Sequence, residues 1–280
     1  MEKRQSAVKI IVKPFLKWAG GKSKLVPFIQ ASMPHEHSGR LIEPFVGSAA
    51  LSLAVDFEEY LLNDVNPDLI SLYQVLKAEK RAFIDLAHSL FTTENNQELK
   101  FYELRERFNA LEHSPERAAI FVYLNRHAFN GLCRYNSKGG FNVPFGRYSK
   151  PYFPEAEMLG FLTKADRMQF FCRDFEPSMR VAEQGDIVYC DPPYAPLSPT
   201  ASFTSYAKDA FGEQEQRRLA SVAEEISDKG AFVLLSNHDT IFTREIYVKA
   251  QLQTIDVQRN IAAKGSSRLK VGEILAVYEY

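Results

Sequence analysis

The chain has 280 residues, 45% of them apolar and 25% charged, enough apolar material for a full core in one large domain or two modest ones, which excludes a disordered chain. With 34 lysines and arginines against 35 aspartates and glutamates, the formal net charge is −1. Composition therefore carries no global sign of a polyanionic partner, and any nucleic acid must be met by a local basic patch.

Met1 to Pro14 alternates charged and apolar residues and lacks the apolar run and small-residue cleavage site of an export signal. No stretch approaches the roughly 20 apolar residues of a spanning helix, so a cytoplasmic protein without membrane attachment is expected. Next comes Phe15-Leu16-Lys17-Trp18-Ala19-Gly20-Gly21-Lys22-Ser23. Its Gly-Lys-Ser invites a P-loop reading, but that pattern wants glycine where Leu16 stands, and Lys13 and Pro14 interrupt the strand that should precede it. The segment instead predicts a loop closing over a ligand with a carboxylate and a purine, Trp18 offering a stacking face and Lys22 a charge.

Leu41 to Leu51, containing Glu43-Pro44-Phe45-Val46-Gly47, reads as a strand, a loop and a helix start. Glu59 to Asn66 reads as a second strand ending in acid. Asp64, some 17 residues beyond Gly47, is placed to meet ribose hydroxyls in a nucleotide-type βαβ unit. From about Pro67 to His113 apolar residues recur at three and four (Leu69, Leu72, Tyr73, Leu76; Phe101, Leu104, Phe108), predicting helices with a core-facing stripe. Another helix is predicted over about Pro115 to Arg126.

Between Glu116 and Glu155 no acidic residue occurs, whereas Arg117, Arg126, Arg134, Lys138, Arg147 and Lys150 do, interleaved with Phe129, Tyr135, Phe141, Phe145 and Tyr148. Basic side chains neutralise phosphates and aromatic ones stack on or wedge between bases, so the span reads as a nucleic-acid surface. Asn130-Gly131 predicts a hairpin turn within it. After Pro154 the α/β rhythm resumes. Strands are expected at Met168–Cys172, Asp186–Cys190, Ala231–Ser236, Gln251–Gln258 and Glu273–Tyr278, and helices near Glu155–Ala165 and Gln214–Lys229. The fold class is α/β: a doubly wound sheet interrupted by an insertion of about 85 residues.

The strand Asp186–Cys190 runs into Asp191-Pro192-Pro193-Tyr194. Two prolines stiffen the backbone and offer carbonyls without amide donors, leaving a carboxylate, a carbonyl and an aromatic ring close together. Such a group can hold a planar amino group. Accepting both N–H protons of adenine's amine at Asp191 and the Pro192 carbonyl draws its lone pair out of conjugation, while Tyr194 stacks on the base; the nitrogen can then attack an electrophilic methyl. A base inside a duplex must be flipped out to reach such a pocket. Cys133, Cys172 and Cys190 lack C-x-x-C spacing and the six histidines form no ligand pattern, so neither a disulfide framework nor a metal site is expected.

Taken together, Phe15 to Lys22, Glu43 to Gly47, Asp64-Val65-Asn66, Leu124-Asn125-Arg126, Asn130 to Asn136, Phe141 to Tyr148 and Asp191 to Tyr194 resemble the Dam family of DNA adenine-N6 methyltransferases, in the motif order of its alpha group, the D12 class. The resemblance runs from about Pro14 to Tyr278. It implies a Rossmann-like sheet dependent on S-adenosylmethionine, a catalytic domain of residues 1–66 and 155–280, and a target-recognition domain of residues 67–154 with helices and a hairpin at about 127–149. It further implies methylation of adenine in duplex GATC by a monomer in the cytoplasm, associated with the nucleoid. By motif, Trp18, Lys22, Glu43, Phe45, Gly47, Asp64 and Asp191 would border the cofactor, and Asp191, Pro192, Pro193 and Tyr194 the flipped adenine. Lys17, Leu132, Pro144 and Arg147 would lie at or near the bases, Arg134 would read guanine, and Arg126, Asn130, Asn136, Asn142 and Tyr148 would complete the DNA surface. Phe129 would be the wedge, where family members often carry tyrosine. Residues before Pro14 form an extension, and Ser236-Asn237-His238-Asp239-Thr240 also resembles the family. A methyltransferase for another DNA target, cytosine N4 included, and a non-catalytic DNA-binding protein are the alternatives.

Overall fold

A computed structural model describes residues 12–34, 39–196, 211–255 and 272–279. The extension before Pro14 falls almost wholly outside them, as does the end of the strand expected at Gln251–Gln258. Seven strands form one sheet in the order β3-β2-β1-β4-β5-β7-β6. They are β1 (Leu41–Glu43), β2 (Tyr60–Asn63), β3 (Met168–Phe171), β4 (Ile187–Cys190), β5 (Phe232–His238), β6 (Gln251–Ile255) and β7 (Glu273–Tyr278). The first five run parallel, and β7 lies antiparallel between β5 and β6. Short runs such as Tyr60-Leu61-Leu62-Asn63 and Ile187-Val188-Tyr189-Cys190 are buried throughout, as parallel strands covered on both faces must be.

Alternation along each strand sorts side chains to the two faces. On β4, Ile187 and Tyr189 join one apolar cluster and Val188 and Cys190 the other; on β5, Leu234 faces one side and Val233 and Leu235 the opposite. The second face is covered by α8 (Phe175–Met179), α9 (Glu213–Ser227) and α10 (Ile241–Ile246). On the first face lie α1 (Val26–Ala31), α2 (Ala50–Ala54) and α7 (Glu155–Ala165), together with the helices that intervene between β2 and β3. The helix at Glu155–Ala165 and the strand at Glu273–Tyr278 have the limits expected, because Pro154 and the period of the apolar residues mark them.

The intervening helices are α3 (Pro67–Glu79), α4 (Arg81–His88), α5 (Glu98–Ala110) and α6 (Pro115–His127). Both α3 and α6 start at a capping side chain followed by proline. Asn66 accepts from the amides of Asp68 and Leu69, and Ser114 from that of Arg117. Every residue of α6 from Ala118 to His127 is buried, so this helix is the axis against which α3, α4 and α5 pack. Leu69, Phe101, Tyr123 and Phe141 belong to the same apolar cluster as Leu41 and Ile187 of the sheet, so the intervening helices and the sheet share a core.

The hairpin turn expected at Asn130-Gly131 is not formed. Phe129–Gly131 makes a 3-10 turn with Asn130 at φ 53°, and the chain reverses farther on, where the Asn136 amide donates to the Gly140 carbonyl and that of Gly139 to the Asn136 carbonyl, each at 2.9 Å. Bridges Ala128–Phe145 and Tyr135–Phe141 tie the two limbs without a continuous ladder. Gly131 is demanded by a neighbour: a Cβ there would come within 2.3 Å of the Lys17 side chain.

Candidate active site

The parallel strands deliver their carboxyl ends to one edge, and strand order reverses between β1 and β4, the place where open α/β sheets form a crevice. A cleft of about 990 Å³ opens there, lined by Trp18, Lys22, Glu43, Phe45, Gly47, Asp64 and all of Asp191 to Tyr194. Asp64, directly after β2, is fixed by two backbone amides, Oδ2 accepting from Gly47 and Oδ1 from Asn66, both at 3.0 Å. Gly47 stands at φ 46°, and a Cβ there would come within 2.9 Å of the Trp18 indole, so the ring lies flush on the loop. Tyr73 of α3 donates its hydroxyl to the Gly47 carbonyl at 2.7 Å, holding the loop from below.

Four titratable groups converge at the cleft: Lys22, Asp191, Glu43 and Glu273. Lys22 Nζ lies 3.1 Å from Asp191 Oδ1 and 3.9 Å from Glu273 Oε2, and 4.2 Å above the centroid of the Tyr194 ring. Oδ1 is inaccessible to solvent and has the Lys22 ammonium beside it as its counter-charge. Burial raises the Asp191 pKa to about 6 against the opposing pull of Lys22. Glu43, at the end of β1, is pushed up to about 7 by burial, although its Oε1 accepts the Ser52 amide of α2 at 2.9 Å. Glu273 also accepts the Tyr194 hydroxyl at 3.1 Å.

Beyond the cleft, α6 ends against the loop that carries Trp18. Asn125 grips Lys17 from both sides, its Oδ1 accepting the Lys17 amide at 2.9 Å and its Nδ2 donating to the Lys17 carbonyl at 2.7 Å. The arm that follows exposes Phe129, Asn130, Arg134, Asn136, Pro144 and Arg147. Asn142 holds the Arg134 guanidinium, Nε at 2.9 Å from its Oδ1 and Nη2 at 3.3 Å from its carbonyl. The Tyr148 hydroxyl accepts the Asn130 amide at 2.9 Å while its ring lies beneath Lys17 Nζ, 4.6 Å away. Leu132 is half-buried under this face. Arg126 departs from expectation: it is buried and donates to the Phe15 carbonyl, because it sits on the inward side of α6.

Comparison with known proteins agrees with this geometry. A family model described as D12 class N6 adenine-specific DNA methyltransferase matches residues 18–261. The chain belongs to that family. It is 48% identical over 265 residues to the DNA adenine methylase of Escherichia coli (strain K12), covering 95% of each chain. It is 49% identical over 265 residues to the DNA adenine methylase of Vibrio cholerae serotype O1 (strain ATCC 39541), covering 94% of this chain and 95% of that one. The Serratia marcescens DNA adenine methylase is 47% identical over 94% of this chain and 97% of its own.

The methyltransferase thus assembles one cleft from segments spread over the sequence, the loop before α1 and the ends of β1, β2 and β4, with Glu273 of β7 supporting Lys22 and Tyr194 beneath it. Sequence reasoning missed Glu273, which lies in an ordinary strand pattern and reaches the site only because β7 inserts beside β5. It also missed Tyr73, whose helical spacing reads as core, and the gripping side chain of Asn125. No helix among the described residues is long and apolar enough to cross a membrane.

Proposed function

We propose that this adenine-specific DNA methyltransferase uses S-adenosylmethionine to methylate N6 of adenine in duplex GATC, acting as a monomer on cytoplasmic, nucleoid-associated DNA and turning the target base out of the helix. The observation that carries the reading is Asp191, a carboxylate lining the cleft with the Lys22 ammonium 3.1 Å from one oxygen, followed at once by two proline carbonyls and the Tyr194 ring.

The residues present fit the cofactor. Asp64 is held by two amides with lone pairs remaining for ribose hydroxyls, Trp18 and Phe45 provide flat apolar faces, and the cleft size suits a ligand of that kind. When bound, S-adenosylmethionine supplies an electrophilic methyl group on a sulfonium. The chain's own residues do the rest. Asp191 and the Pro192 carbonyl would accept the two amino protons of adenine while Tyr194 stacks on the base; the N–C bond would form as the methyl group's S–C bond breaks, leaving a neutral thioether, and Asp191 would take the proton the amino nitrogen then releases. Positioning and this charge complementarity supply the acceleration. Trp18, Lys22, Glu43, Phe45, Gly47 and Asp64 constitute the cofactor side of the cleft.

On the DNA side, residues 67–154 act as the recognition unit. Exposed Phe129, beside Leu132 and Pro144, is the side chain suited to fill the gap left by a flipped base. Arg134, oriented through two of its five N–H donors by Asn142, keeps others to read O6 and N7 of guanine. Lys17, Asn130, Asn136, Arg147 and Tyr148 complete the surface, and Arg126 contributes by holding the Phe15 loop rather than by touching phosphate. The test is incubation with methyl-labelled S-adenosylmethionine and two duplexes differing only in an intact or scrambled GATC. Label on adenine of the intact duplex alone is expected. Label on both overturns the specificity, and label on neither overturns the reaction.

A further inference from the structure

We infer that Gln216 and Asn237, on α9 and β5, are positioning residues that set the orientation of the Pro192 carbonyl and the Tyr194 ring; the inference rests on the reaction proposed above. Asn237 is wholly buried at the end of β5. Its amide is saturated. Oδ1 accepts from the amides of Ala195 and His238, both at 2.9 Å, and Nδ2 donates to Gln216 Oε1 at 2.9 Å and to the Tyr247 hydroxyl at 2.8 Å. Gln216, equally buried, is thereby turned so that its Nε2 donates to the Pro193 carbonyl at 2.7 Å. His238 Nδ1 meets the Ala195 carbonyl at 2.7 Å, and its ring lies edge-on to that of Tyr194 with centroids 4.8 Å apart.

These bonds act on the few torsions that the Asp-Pro-Pro-Tyr sequence leaves open. The proline ring locks φ of residue 193, so the plane carrying the Pro192 carbonyl is related to the next plane by a single free rotation, ψ of residue 193. The bond from Gln216 to the Pro193 carbonyl selects that rotation. The bond from Ala195 to Asn237 fixes the plane after Tyr194, and with it the backbone from which the ring projects. Donor and acceptor run in one direction through the network, from Asn237 to Gln216 to Pro193, so neither amide can reverse without leaving buried groups unpaired. Reversal of strand order has placed β5 beside β4, which is why the end of β5 can hold the loop that leaves β4. The Ser236-Asn237-His238 motif thereby acquires a mechanical role.

The experiment compares wild type with Gln216→Met, which keeps side-chain length and removes both the donor to Pro193 and the acceptor of Asn237. The readouts are the single-turnover methyl-transfer rate at saturating DNA and S-adenosylmethionine, the Kd of each, and hydrogen exchange at Tyr194 and Ala195. These two alone carry backbone amides between Pro192 and Pro196. Expected are a rate lower by about tenfold or more, both Kd values within about twofold of wild type, and faster exchange at Ala195. A rate within about twofold of wild type overturns the inference, as does a rate loss matched by weakened binding of both ligands, which marks general disruption. Should Gln216→Met not fold, Tyr247→Phe removes one hydroxyl from the same network. A lower rate at unchanged affinities is again expected, and a wild-type rate overturns the inference. Failure of the wild-type protein to methylate adenine overturns the proposed reaction instead, and exchange at Ala195 still reports the latch: unchanged exchange in Gln216→Met overturns it.

Discussion

Asp191 illustrates how burial and one neighbour set the charge of a common side chain. Burial penalises its charge and Lys22 restores part of it, so the carboxyl titrates near 6 and is an anion at neutral pH, the state the proposed reaction requires. The single-turnover rate is therefore expected to fall as pH drops through about 6, approaching tenfold per unit below it, measured by rapid quench between pH 5 and 8. Asp191→Ala should lower turnover by roughly a hundredfold with DNA affinity retained; near-normal turnover removes Asp191 from the chemistry. Glu43, like Asp191, has the opposite sign in stability from a carboxylate whose pKa a cation holds low. Its folded-state pKa, about 7, lies above the ordinary 4.5, so the native state holds the extra proton, and the stability this contributes is present below 4.5 and lost as pH rises through 7. Replacing it by glutamine keeps an acceptor for the Ser52 amide and removes the titration. The decline in Tm between pH 5 and 8 should be shallower in Glu43→Gln than in wild type, and equal slopes would remove Glu43 as its source.

At the scale of the element, short caps and clamps decide where the long pieces end. Asn66 caps α3 and follows the loop holding Asp64, so one side chain starts the first intervening helix at the edge of the cleft. Asn66→Ala is expected to cost about 1 kcal/mol in urea unfolding, seen as a lower midpoint at unchanged m-value. A midpoint equal to wild type would show that Pro67 and the packing of α3 suffice. Asn125 performs the corresponding service at the other end of the layer, joining the last turn of α6 to the Lys17 backbone next to Trp18. The loop closing the cleft and the arm carrying Arg134 thus hang from the same helix terminus.

For the whole molecule, a net charge of −1 conceals a sharply uneven distribution, with no carboxylate between Glu116 and Glu155. Distance in sequence does not exclude carboxylates in space, however: Arg147 pairs with Glu98 at 3.0 Å and Arg117 with Asp68 at 2.7 Å. Arg117 is thereby a structural ion pair, while Lys138 and Lys150 stay exposed. Two substitutions on this face should behave differently. Arg134→Ala is expected to cost about 1–3 kcal/mol on GATC duplex and less on a scrambled one, relaxing discrimination. Lys138→Ala is expected to weaken both about equally and to reduce the slope of log K against log salt by about one. Titrations of labelled duplexes at several salt concentrations measure both, and equal losses for Arg134→Ala on the two duplexes would make it a phosphate contact.

Much of this was legible in the residues because the relevant physics is local. Prolines and capping residues mark where elements begin, apolar periodicity separates strand from helix, and the Phe15–Lys22 loop, the strand ends carrying Gly47 and Asp64, and the Asp-Pro-Pro-Tyr sequence, all of which reach one cleft, are each short local patterns. Asn130-Gly131 misled because its turn preference is satisfied equally by a single left-handed residue in a 3-10 turn, and contact with Lys17 chooses that form. Arg126 misled because charge says nothing of which side of a helix faces inward. Only the tertiary structure could bring Glu273, Gln216 and Asn237 to the loop after β4, since those contacts depend on strand order, with β5 next to β4 and β7 inserted antiparallel beside it. Local sequence determines the chemistry available at a strand end; the order in which strands pair, set by long-range packing, decides which groups hold that chemistry in place.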